Sequence, residues 1–97
     1  MKGNSIYKIP EGKLVKISMD FDGGKIMAVK IFGDFFLHPE RGIELIEKDL
    51  CGKKIEEKTL IDEIEKTVKK NCLELFGISS QGLATAILLA KEGAKNG

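Results

Sequence analysis

Tryptophan is absent from these 97 residues, and tyrosine and histidine occur once each, as Tyr7 and His38. A lone histidine removes the paired-imidazole sites of most zinc enzymes. The two cysteines, Cys51 and Cys72, are far apart and form no CxxC pair. Metal-ligand spacing is therefore missing, and both thiols are expected reduced and mostly buried. An excess of either charge is missing too. Sixteen basic residues against fifteen acidic ones leave a formal net charge of +1, with no basic stripe to suggest nucleic acid. No apolar run approaches the ~20 residues a membrane helix needs, and no signal-peptide core follows Met1. The expectation is a cytoplasmic protein that engages neither nucleic acid nor membrane. Proline is scarce as well, with two residues, Pro10 and Pro39, each marking a turn or an element boundary.

What is present is ordinary material for one domain, 1–97, with 42% hydrophobic and 32% charged residues. The N-terminal third reads as strands. Ser5–Ile9 is a short strand ending at the turn Pro10-Glu11-Gly12. Lys13–Phe21 alternates, with Val15, Ile17, Met19 and Phe21 on one face. Lys25–Phe32 alternates likewise, with Met27, Val29 and Ile31 on one face. A two-residue loop at Asp22-Gly23-Gly24 would set that second apolar face against Lys16, Ser18 and Asp20. A three-residue loop pairing Phe21 with Lys25 aligns the apolar faces, so burial favours a type I turn with Gly24 left-handed in a bulge.

Gly33-Asp34 breaks the ladder, and Pro39-Glu40 suits the opening of a helix. That helix carries Ile43, Ile46 and Leu50 and stops at Gly52. A second helix, about Glu56–Asn71, places Leu60, Ile61, Ile64 and Val68 at helical spacing. Leu73–Ile78 is an apolar connector, after which Ser79 or Ser80 caps a third helix. Its run Leu83–Ala90 is apolar on more than one side, as expected of the deepest helix or of one that docks on another chain. The polar tail Glu92–Gly97 is expected to fray. The fold class predicted is α+β: an N-terminal three-stranded antiparallel sheet covered on one face by three helices. It is similar to the SufE/NifU-like architecture of sulfur-acceptor and iron–sulfur scaffold proteins.

No catalytic constellation emerges. His38 sits at a helix start, Ser79 and Ser80 make better sense as caps, and Gly23-Gly24 lacks phosphate-loop spacing. Asp34-Phe35-Phe36-Leu37 is more informative. Adjacent residues of an extended chain point opposite ways. One phenylalanine can plug the seam between sheet and helix, while the other, beside Asp34 and His38, can meet a partner. Lys8 and Lys13 flank the Pro10 turn, either simply solvated or one of them neutralising a phosphate or carboxylate at a partner's site. The candidates for a partner- or active-site-facing surface are thus Lys8, Lys13, Asp34, Phe35, Phe36 and His38.

The segment Tyr7–Glu40, through Lys8, Pro10, Gly12-Lys13-Leu14-Val15, Gly33-Asp34-Phe35-Phe36 and Pro39-Glu40, resembles the small C-terminal domain of lipoate–protein ligases. The likeness continues through Leu50-Cys51-Gly52, Leu75–Ser79, Leu83-Ala84 and Ala86-Ile87. The resemblance implies a family that activates lipoate with ATP to lipoyl-AMP and transfers the lipoyl group to a lysine of lipoyl domains or of the glycine-cleavage H protein. The adenylate-binding segment and essential lysine belong to the large domain and have no counterpart here. The chain is therefore expected to act as the separate accessory subunit of a bipartite, archaeal-type ligase. It would bind no cofactor alone, and ATP, Mg and lipoate would act at the large catalytic subunit. An alternative is an iron–sulfur scaffold or sulfur acceptor. Scaffolds need three cysteines at one site, and Cys51, at a helix C-terminus, faces the negative end of the dipole, which disfavours a reactive thiolate.

Overall fold

Strands β1 (Lys2–Lys8), β2 (Leu14–Asp22) and β3 (Lys25–Gly33) form one antiparallel sheet in the order β1-β2-β3. The computed structural model describes residues 1–96, the side chains of the last three excepted. Strand β4 (Phe36–His38), helices α1 (Gly42–Leu50) and α2 (Glu57–Lys70), strand β5 (Glu74–Phe76) and helix α3 (Ser80–Asn96) follow. The predicted α+β arrangement of a three-stranded sheet with three helices on one face is present.

Alternation decides what the sheet buries. Val15, Ile17, Met19 and Phe21 of β2 point inward with Ile26, Val29 and Ile31 of β3. The register differs from the sequence expectation. Asp22 pairs with Lys25 across a two-residue turn, and Gly23 and Gly24 both take positive φ, +58° and +78°. Two left-handed residues match the twist of the flanking strands, and only glycine adopts them without strain. The face conflict that argued against this loop is removed elsewhere. The register shifts between Asp20 and Phe21, so that Asp20 pairs with Ala28 and Phe21 with Ile26. Met27 is the extra residue, and it is exposed. Ile26 takes the inward place expected of Met27. The bulge restores the inward phase, setting Val29 opposite Met19 and Ile31 opposite Ile17.

β1 begins earlier than expected, because Met1 joins the ladder: the Phe21 N–H donates to the Met1 carbonyl at 2.8 Å. The outer edge of β3 is covered by the α1–α2 side of the molecule. The Ile31 N–H donates to Glu47 Oε2 (2.7 Å), Ile26 N–H to the Lys53 carbonyl (3.0 Å) and Ile55 N–H to the Gly24 carbonyl (2.8 Å). These bonds satisfy backbone groups that an open edge would leave free.

Leu60 and Ile64 of α2, Ile46 and Leu50 of α1, and Leu83 and Ile87 of α3 meet the sheet in one buried cluster. Thr67 is buried between α1 and α2, its hydroxyl within reach of Asp49 Oδ2 (2.8 Å) and the Glu63 carbonyl (3.0 Å). α3 is the deeply placed helix the sequence suggests. Ala84, Ala86 and Ala90 are buried, and the Ser5 hydroxyl donates to the Ala86 carbonyl at 2.7 Å, which brings β1 close to the helix backbone. Ser79 caps it, accepting from the Gly82 N–H at 3.0 Å. The helix continues through Asn96, so the tail expected to fray is helical that far, and Gly97 lies outside the described residues.

Three further expectations change. Helix α1 opens at Gly42 and not at Pro39, because Phe36–His38 form a strand and Pro39–Arg41 turn the chain. The His38–Pro39 peptide bond is cis. Leu73–Ile78 is not merely a connector, since Glu74–Phe76 pair with β4. Both cysteines are exposed and not buried, because Cys51 and Cys72 fall in the turns that follow α1 and α2.

Candidate functional site

The turn after β1 is built by its own backbone. The Gly12 N–H donates to the Ile9 carbonyl (2.8 Å) and the Ile9 N–H to the Lys13 carbonyl (3.2 Å). Lys8 locks it, its ammonium reaching the carbonyls of Gly12 (2.6 Å) and Ile9 (3.2 Å). Lys8 is therefore engaged within the chain, which leaves Lys13 as the freer cation of the pair. The Lys13 N–H donates to the Gly77 carbonyl at 2.8 Å. A side-chain carbon at Gly12 would stand 2.7 Å from that same carbonyl oxygen, and one at Gly77, whose φ is +85°, would overlap the alkyl stem of Lys13. Two glycines thus let the first turn and the end of β5 touch.

The Asp34 segment is drawn to the same place. The Asp34 N–H donates to the Leu14 carbonyl (3.2 Å), one residue beyond Lys13. Gly33 precedes it in a conformation where a side chain would strike that carbonyl and the ring of Phe35. Phe35 is half-buried and packs on the core, whereas Phe36 is 51% exposed. Phe36 pairs with Phe76 in register, and the two rings lie 5.8 Å apart, tilted by 42°. Phe76 is itself 49% exposed. On the opposite face of the ribbon Leu37 is buried, paired with the half-buried Leu75, and His38 stands opposite Glu74.

The structure therefore brings Lys13, Asp34, Phe36 and His38 to one end of the molecule, along the β4–β5 ribbon and the turn that touches it. Phe35 belongs to the core side of this surface and Lys8 to its scaffold. Phe76 is the residue the sequence does not single out. Its signal, the alternation Glu74-Leu75-Phe76, is too short to separate a strand from a connector. Two half-exposed aromatics in contact, rimmed by charged groups, have the composition of an interface core with a polar rim.

A groove of about 270 Å³ lies beside the turn, between Tyr7, Ile9 and Pro10 on one side and Ser79, Gln81 and Gly82 on the other. Its walls supply hydroxyl and amide groups and no cation to meet a phosphate. Among the described residues no three His, Cys, Asp or Glu side chains gather where they could hold a metal ion, and no helix is long and apolar enough to cross a membrane. The exposed Phe36–Phe76 pair with Lys13, Asp34 and His38 around it is the candidate surface.

Comparison with known proteins places the chain in a family. The profile of the family described as the bacterial lipoate protein ligase C-terminus matches residues 7–87. Lipoate-protein ligase A subunit 2 of Thermoplasma acidophilum is 41% identical over 50 residues. The match takes in 52% of this chain and 52% of that protein, so the chain spans about half the length of the curated relative. Among solved structures, a chain from the bi-partite lipoate protein ligase and its E2 lipoyl domain, also from Thermoplasma acidophilum, superposes with a TM-score of 0.70. That likeness covers 90% of this chain and 92% of the other at 26% identity. The motif-bearing turn, the Gly33-Asp34-Phe35-Phe36 segment and the α+β frame that joins them place this chain in the lipoate protein ligase C-terminal family.

Proposed function

We propose that this chain is the accessory subunit of a two-component lipoate–protein ligase, required for ATP-dependent activation of lipoate to lipoyl-AMP. The lipoyl group then passes to a lysine of a lipoyl domain or of the glycine-cleavage H protein. The observation that carries the reading is the exposed Phe36–Phe76 pair, set on a surface that the family's own residues assemble. The partner is the large catalytic subunit, where ATP, magnesium and lipoate act.

The chemistry gives a second protein something to do. A lipoate carboxylate oxygen attacks the α-phosphorus of ATP, and pyrophosphate leaves. The step needs oxygen, phosphorus and leaving group in line, and the mixed anhydride formed must be kept from water. A docked domain orders the segments around such a site and closes it, without donating a reacting group. The test is pyrophosphate release from ATP and lipoate. The purified chain alone is expected to release none, the large subunit alone little, and the two together to restore the reaction. Release by the lone chain, or full release without it, overturns the reading.

A further inference from the structure

We draw no further inference here: the strongest candidate, the outer face of the three-stranded sheet where the exposed Ile6 and Phe32 flank Lys16, carries nothing, because it is an unpartnered face and nothing in the structure shows what covers it.

Discussion

At Phe35 the ring packs against the core beside Gly33, and at Phe36, one position on, the ring stands out next to Phe76. Extended backbone sends consecutive side chains to opposite sides, so the two cannot share a role. Phe35→Ala is expected to cost about 1–3 kcal/mol of stability, below the full-burial range because the ring is only half-buried. Phe36→Ala should change stability by less than about 0.5 kcal/mol, as exposed substitutions do. If Phe36 anchors the large subunit, its loss should weaken binding by about 2 kcal/mol. Thermal melting and titration calorimetry on the same two variants separate these effects. Two variants that both bind normally would move the docking surface elsewhere, with the third helix around Leu83–Ala90 the next candidate.

The contact between the first turn and the end of β5 depends on Gly77, and Gly52 provides a control. Their φ values are +85° and +84°, but a side chain at Gly52 would meet nothing within 4 Å, while one at Gly77 would overlap Lys13. Gly52→Ala should therefore cost only the left-handed backbone, about 1 kcal/mol. Gly77→Ala should cost more, about 2–3 kcal/mol, and should also weaken binding to the large subunit, because Lys13 must shift and the ribbon with it. Equal destabilisation of the two variants by urea titration would show that the close approach carries no energy of its own.

All three helices and the three-stranded sheet contribute to one buried cluster, which makes global unfolding a single cooperative event by circular dichroism. Local opening should differ across the molecule. β2 is hydrogen-bonded on both sides, whereas β4 and β5 are three residues each and pair only with one another. Amide exchange is expected to be slowest in β2 and distinctly faster at Phe36–His38 and Glu74–Phe76. Slow exchange in the ribbon of the lone chain would mean that the docking surface is as rigid as the core and needs no ordering by its partner.

Alternation in β2 and in β3 from Val29 onward, the helical spacing of Leu60 and Ile64, and a serine cap at Ser79 or Ser80 were legible in the sequence, because each is set by neighbours within a few residues. The family was legible for a related reason, since Gly12-Lys13-Leu14 and Gly33-Asp34-Phe35-Phe36 are close-approach and turn residues whose identity is tightly constrained. Tertiary structure decided the rest. Where the hairpin bulges depends on which of Ile26 and Met27 the helices can cover, and the short apolar run around Leu75 becomes a strand only when Phe36–His38 lie beside it. The meeting of Phe36 with Phe76, 40 positions apart, follows from that pairing. Local periodicity specifies which face of an element is apolar. Only packing determines what that face meets, and so which apolar residues remain outside for a partner.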